Sequence, residues 1–489
     1  MKIASLKLQT SHLPANAEAQ VRCEAALERR DAGDYEGAQA ALRPFWEFGT
    51  RPKTVGLHPS IAAEVLFCAG VLTGFLGSQI QAKEAQETAK DLITESIVYF
   101  ESAGDTRKVA EAQTEIAYCY WRAGELNEAR ITLHEALKKL QGTGITRARA
   151  LLKLTTIEFS SSRYHEALRI LTDNASLFQK LHNETFRGIY HGQMAIALRN
   201  IAKSEKRTEY TQQAITEFQK ADRHYKAARN PVFRADVKNN AALLFSNVSR
   251  FKEAHRCLDE ARRLSIRFKD KARTAQYDES RAQVFLAQGK PEQAEVAARR
   301  AATALQKSGH QCLVVDALIT QGIALARLGK QERAQFILQR AYEIAIQVDA
   351  FPKAGLAALT LIEEIHQLSP TKLQAAYDRA LEWLSKSEEQ EILLRLSEAA
   401  VKLASSVRGE LNAEQASEVL LSKPADLTKG RLDTEREMIR KALAQANGSV
   451  THAAPLLSLS YQALAYIIQS RHPDLLKERT PIRRRQRKQ

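Results

Sequence analysis

The sequence predicts an all-α protein: a long array of stacked helical hairpins followed by a small C-terminal three-helix module. Three observations carry this. Gly and Pro are scarce, 21 and 12 of 489 residues, while good helix formers dominate. Apolar residues recur at i, i+3, i+4 and i+7 along most of the chain, the spacing of one helix face. And one motif returns at a fixed interval: Ala254, Ala294 and Ala334 lie 40 residues apart twice over.

The motif places a small residue in a first helix and a bulky one three residues later. A turn follows, then alanines and a bulky residue along a second helix. One copy reads Ala117, Tyr120, Gly124, Leu126, Ala129, Leu133, Ala136. The others are Ala242, Phe245, Ser249, Phe251, Ala254, Leu258, Ala261; then Ala282, Phe285, Gly289, Ala294, Ala298, Ala301; then Gly322, Leu325, Gly329, Ala334, Leu338, Ala341. The small residue lets the second helix approach, and alanine is needed where the two cross. Each hairpin leaves one face uncovered, so the next must stack upon it, which is the logic of a solenoid.

More divergent copies extend the pattern both ways. Gly33, Tyr35, Ala38 and Leu42 mark the first; Tyr164, Ala167 and Leu171 follow the Ala117 copy. Ala195, Leu198, Ala214, Phe218 and Ala221 mark one lengthened by about seven residues between its helices. Helical pairs around Ala62–Phe100 and Ala354–Leu384 complete roughly nine hairpins. These residues resemble tetratricopeptide (TPR) repeats, with a longer period than that family's usual one. The resemblance implies a right-handed α-solenoid over 15–387, behind an N-terminal tail, 1–14. It also implies a concave face lined by first helices. Mapped onto this chain, that face takes Tyr118, Trp121, Phe159, Arg199, Asn200, Asn239, Asn240, Asn247, Glu279 and Gln283. In peptide-binding members, asparagines and basic residues at such positions clamp a backbone or carboxylate, so a protein or peptide partner is implied.

Residues 388–407 read as a capping or stalk helix. Residues 408–432 contain Gly409, Pro424 and Gly430, lose periodicity and read as a linker. A helix over Asp433–Ala446 follows, with Met438, Ile439, Ala442, Leu443 and Ala446 on one face. Asn447-Gly448 stops it, because glycine accepts the left-handed end of a helix. Ser449 is a good N-cap for a second, short helix packing Val450, Ala453, Ala454 and Leu457. Ser458-Leu459-Ser460 turns the chain into a third helix, Tyr461–Ser470, with Leu464, Ile467 and Ile468 inward. Alanines permit a close crossing and the short turn fixes its angle, the geometry that offers a third helix to a DNA major groove.

The run Asn447–Ala454, then Leu456–Ser460, then Leu464 and Ile468 resembles the Fis-type helix-turn-helix at the C-terminus of many bacterial transcription regulators. The resemblance spans about 45 residues within 433–475 and implies double-stranded DNA binding by the last helix, as a homodimer or higher oligomer. Two features depart from the family pattern. Pro455 sits inside the second helix, where it removes a backbone hydrogen bond. The recognition helix is poor in charge, offering Ser460, Tyr461, Gln462, Tyr466 and Gln469, with Arg471 at its end. Glutamine pairs with adenine edges, so base reading survives, but phosphate affinity must come from elsewhere. The basic tail, 476–489, supplies it through Arg479, Arg483, Arg484, Arg485, Arg487 and Lys488. Residues 431–489 hold 12 Lys+Arg against 5 Asp+Glu, +7 of the chain's +15.

Other chemistries find no support. The sequence has no GxxxxGK[ST] phosphate loop, HExxH or GxSxG, and five scattered cysteines form no zinc or disulfide pattern. No enzyme activity, cofactor or metal is expected. The cysteines fit a reducing, cytoplasmic setting. The most apolar stretch, Val65–Gly77, is shorter than the ~20 residues a bilayer needs, so no membrane is expected. The favoured reading is a sequence-specific DNA-binding transcriptional regulator whose solenoid takes a protein, a peptide or a second copy. A TPR scaffold with a non-specific nucleic-acid-binding tail is one alternative, and a peptide-sensing regulator another.

Overall fold

The computed structural model describes residues 13–408 and 436–478, except 81, 83, 143, 206, 268, 269, 349, 367, 386, 388, 447, 458–463, 466, 470 and 471. Among the described residues every regular element is helical. The chain forms two compact units, Met1–Leu403 and Ala404–Gln489.

The first unit is a TPR-like solenoid. Its hairpins are α1 (Ala15–Asp31) with α2 (Tyr35–Leu42), α3 (Pro59–Ile80) with α4 (Ala85–Ser102), and α5 (Thr106–Arg122) with α6 (Leu126–Lys139). Next come α7 (Ile145–Ser160) with α8 (Tyr164–Asp173), trailed by the short α9 (Ala175–Lys180), then α10 (Glu184–Glu205) with α11 (Thr208–Ala227). The series continues with α12 (Pro231–Asn247) and α13 (Phe251–Arg267), α14 (Lys271–Ala287) and α15 (Pro291–Lys307), α16 (Gln311–Arg327) and α17 (Gln331–Gln347), and α18 (Phe351–Glu364) and α19 (Pro370–Leu384). A last helix, α20 (Gln390–Arg408), begins in this unit.

The repeat motif is the core of each hairpin. Ala117, Ala129, Leu133, Ala136, Ala242, Ala254, Leu258, Ala261, Ala282, Ala294, Ala298, Ala334, Leu338 and Ala341 are all 0% exposed. The helix crossing leaves no room for larger groups: a Cβ on Gly322 would lie 2.6 Å from the Leu338 side chain. The hairpin turns need left-handed backbone, supplied by glycine at Gly289 (φ +70°) and by a serine at Ser249 (φ +57°). First helices touch the first helices of neighbouring hairpins and form a continuous inner layer.

Two expectations change. The extra residues of the fifth hairpin lengthen its helices, 22 residues in α10 and 20 in α11, rather than the turn between them. Its helical periodicity simply continues past the usual stopping point. The apolar stretch near residue 65 also belongs to a longer helix than expected. Pro59–Ser78 spans 20 residues with mean hydropathy 1.8, long and apolar enough to cross a membrane, and 67% of its most apolar stretch is buried within the protein. Its side chains Val65, Phe67, Cys68, Ala69 and Leu72 fill the core shared with α1, α4 and α5.

Replacing Gly322 by Val should overpack this crossing and destabilise the solenoid by about 1–3 kcal/mol, read as a lowered thermal midpoint. The same change at Gly144, whose backbone is extended (φ 170°) and where a Cβ meets nothing within 4 Å, leaves the crossing untouched and serves as the comparison.

Candidate functional site

The second unit is built around one small core. A first helix at 436–445, a second at Val450–Leu456 and a third whose described turns are 464–465 and 467–469 meet through Ile439, Ala442, Leu443, Val450, Ala453, Ala454, Leu464, Ile468 and Leu475. Gly448 closes the first helix in the left-handed region at φ +77°, its N–H reaching the Leu443 carbonyl at 2.8 Å. The Ala453 N–H bonds the Ser449 carbonyl at 2.9 Å and starts the second helix. That helix continues through Pro455, and the Leu457 N–H closes it on the Ala454 carbonyl at 3.1 Å. A 3-10 turn, Pro473–Glu478, follows. Asp474 on it accepts two bonds from Arg436, at 2.9 and 2.6 Å, which lower its pKa and tie this turn to the start of the first helix.

Met438 does not join the inward face as expected; it is 52% exposed. One residue before Ile439, it sits about 100° round the helix, beyond the sector that the other two helices cover. On the third helix Leu464 and Ile468 are fully buried and Gln469 is exposed. Ser460, Tyr461, Gln462, Tyr466, Arg471, Arg479, Arg483, Arg484, Arg485, Arg487 and Lys488 lie outside the described residues.

The inner layer of the solenoid is a second candidate surface, and the structure fills part of it with the chain's own residues. The end of α1 crosses the layer: Arg30 meets Glu115 of α5 at 3.1 Å, and Asp31 takes Arg149 of α7 at 2.6 Å. The Asn230 amide at the start of α12 reaches the Ala32 carbonyl at 3.4 Å. Farther along, Glu389 accepts from the Tyr164 hydroxyl at 3.0 Å and Glu391 pairs with Lys203 at 2.7 Å. These contacts join hairpins that are not neighbours in the stack.

Glu115 is the hub. Burial alone would raise its carboxyl, but Lys153, Arg30 and Arg149 outweigh burial and hold it at about 2. Lys153, its partner, is drawn by burial down to about 8. The two shifts pull the pair in opposite directions. The carboxylate's governs, because three cations face it at once.

The candidate inner-face residues fall into three groups. Tyr118 and Trp121 stack on each other at 4.5 Å, in a series with Phe75 and Tyr35. The Arg122 guanidinium covers Phe75 and Tyr118, and the Trp121 indole donates to Ser160 at 2.7 Å. Phe159 leans on Tyr164 beside them. Arg199, Asn239 and Asn240 form the second group. Burial lowers the Arg199 pKa, and its contacts are the Asn240 carbonyl and side-chain oxygen at 3.5 and 3.4 Å, with no carboxylate. Asn239 is buried and its Oδ1 has no hydrogen-bond partner. Asn200 is half-buried nearby and Asn247 is exposed at the end of α12. In the third group, Glu279 is buried and accepts from Gln283 at 2.7 Å and Thr320 at 2.8 Å. Burial, with Asp316 nearby, raises it to about 7.

The sequence reading missed Arg30, Asp31, Glu115, Arg149 and Lys153. Their spacing carries no motif: stacking of α5 on α7 joins Glu115 to Lys153, and the curvature of the solenoid brings Arg30 and Asp31 to them. Among the described residues no group of His, Cys, Asp and Glu could hold a metal ion.

Residues 431–469 match the family described as "Bacterial regulatory protein, Fis family". No curated protein matches the chain in sequence. Among solved structures, the chain is similar to a Rap protein complexed with Competence and Sporulation Factor, at 14% identity, TM-score 0.46, covering 70% of this chain and 99% of that one. It is also similar to yeast Tom70, at 13% identity, TM-score 0.44, covering 83% and 85%. A third is a signal-transduction ATPase with a TPR sensor from Pyrococcus horikoshii, at 13% identity, TM-score 0.47, covering 74% and 54%. The fold and the matched segment define the class: an α-helical repeat protein carrying a DNA-binding domain. Its C-terminal unit is a Fis-type helix-turn-helix, the mark of a DNA-binding regulator.

Replacing Glu115 by Ala leaves Arg30 and Lys153 without their buried counter-charge and should cost about 3–5 kcal/mol of solenoid stability, measured by chemical denaturation. Glu279 has a pH signature. Its folded pKa of about 7 lies above the ordinary 4.5, so the folded state keeps a proton that the unfolded state has lost. That stabilisation is complete below about 4.5 and disappears as pH rises through 7. Between pH 5 and 8 the thermal midpoint of the wild type should therefore fall relative to that of Glu279→Gln.

Proposed function

We propose that this chain is a sequence-specific transcriptional regulator that binds duplex DNA through its C-terminal unit. The observation that carries the reading is the Fis-family match over 431–469, coinciding with a compact three-helix core whose third helix turns Gln469 to solvent. In the proposed mechanism the arginine-rich tail, Arg479 to Lys488, draws the phosphate backbone. Tyr461, Gln462, Tyr466 and Gln469 read base edges in the major groove, with Ser460 and Arg471 at the helix ends. One such module binds weakly, so the working form is a homodimer or higher oligomer on paired half-sites. Such a regulator acts where the bacterial chromosome lies, in the cytoplasm.

We further propose that the solenoid's inner face takes a protein or peptide. Arg199 has no carboxylate partner among the described residues, and the neighbouring Asn239 Oδ1 has an unmet hydrogen-bond demand. A ligand carboxylate and backbone amide would satisfy both.

Selection of bound fragments from random duplex DNA by the full chain tests the DNA reading. It should return a preferred site, which Gln462→Ala with Gln469→Ala erodes. Removing Arg479–Gln489 should instead weaken all sequences alike. With four to six tail charges on phosphates, the slope of log affinity against log salt attributable to the tail is about −4 to −5, and this part is lost. Unchanged preference after the glutamine substitutions would leave the scaffold alternative.

A further inference from the structure

The tail is not the most basic part of this chain. Residues 220–307 hold 20 Lys+Arg against 10 Asp+Glu, a net of +10, which exceeds the +7 of residues 431–489. Internal pairing makes the imbalance sharper at the surface. Asp222 and Glu260 are both held by Arg234 and Lys238. Asp259 is held by Arg281, Asp278 by Arg262, Asp270 by Arg273 and Glu295 by Arg299. Exposed Glu292 has no cation partner among the described residues. The acids are thus mostly neutralised within the solenoid, and the surplus cations face outward.

They face outward in register. The buried stripe of α13 is Ala254, Leu258, Ala261 and Ser265. At 100° per residue, Lys252, Arg256, Arg263 and Arg267 fall within a strip about 60° wide on the opposite side. All four are exposed and none has an ion pair among the described residues. Arg223 of α11 and Lys307 of α15, the second helices of the flanking hairpins, are exposed in the same outer sector, also without a carboxylate partner. From Lys252 to Arg267 the ridge runs about 22 Å, the rise of about six base pairs of duplex DNA. The strip itself holds no apolar or aromatic side chain; Ile266 at its edge and Val296 on the outer side of α15 are exposed singly, without the aromatic anchors that centre a protein interface.

We infer that the outer face of α11, α13 and α15 is a second DNA-contacting surface, one that grips the phosphate backbone without reading sequence. It shares a ligand with the C-terminal unit but none of its residues. It adds to the phosphate affinity that the proposed reading assigns to the arginine-rich tail.

The test uses the full chain and a duplex of arbitrary sequence. Lys252→Gln, Arg256→Gln, Arg263→Gln and Arg267→Gln together should flatten the dependence of log affinity on log salt by 2 or more, each lost phosphate contact being worth about 0.9. The preference among selected sites should stay the same, which separates this surface from the C-terminal unit. A comparison set removes four exposed, unpaired cations elsewhere on the solenoid: Arg107→Gln, Lys138→Gln, Arg333→Gln and Lys372→Gln. Equal flattening by both sets would overturn the inference and leave only net charge. An unchanged slope in the α13 variant would overturn it outright. So would loss of binding to a poly-glutamate probe with DNA binding intact, which would mark an acidic protein as the partner. Should the fourfold variant not fold, Arg263→Gln with Arg267→Gln reads the same slope at about half the effect.

Discussion

The closeness with which paired helices cross is the constraint on which this structure rests. Alanine or glycine stands where the second helix meets the first in the repeat copies from Ala117 and Ala129 to Gly322 and Ala334. A side chain there would push the helices apart and open the gap that Leu133, Leu258 and Leu338 fill. Close-packed interiors do not absorb such a shift locally. The same economy recurs at small scale in the C-terminal unit, where Ala453 and Ala454 sit fully buried between Leu443 and Leu464.

A simple solenoid couples only adjacent repeats. This one does more. The Arg30–Glu115, Asp31–Arg149 and Asn230–Ala32 contacts tie the first hairpin to the third, fourth and sixth. The pairs from Glu389 and Glu391 tie the start of α20 back to the fourth and fifth. Buried ion pairs are costly to form and costlier to break singly. A solenoid closed this way resists the stretching and fraying that an open array allows, and its inner face becomes a set of sites rather than one continuous groove. The aromatic series around Tyr118 is occupied by the chain itself, while the Arg199–Asn239–Asn240 group is left with unmet polar demand.

Charge is divided along the same lines. Most acids between residues 220 and 307 are matched to cations that lie against them, and unmatched Lys and Arg remain on the outer helices. Helical register, which places Ala254 and Leu258 inside, necessarily places Arg256 and Arg263 outside. Together with the arginines near the C-terminus, this gives the protein two basic regions and a DNA-binding domain whose third-helix segment, Tyr461–Ser470, carries no charged side chain.

Local chemistry was enough to show the helices, the hairpins and the three-helix C-terminal unit. Small residues at crossings, turn residues such as Gly289 and Gly448, and apolar periodicity act within a few residues of one another, so a single chain reading captures them. It erred where helix propensity alone decides the length, extending α10 and α11, and where coverage decides exposure, at Met438. Part of the inner layer was legible as residue types at repeat positions: Arg199 meets Asn240 across neighbouring first helices, and Glu279, in a separate group, meets Gln283 and Thr320. Which of those positions stay open was not legible. Only tertiary structure decided that, because the curvature of the stack brings Arg30 to Glu115 and Tyr164 to Glu389, residues 85 and 225 apart. Such contacts depend on the small rotation between hairpins summed over many repeats, and no local spacing encodes that sum.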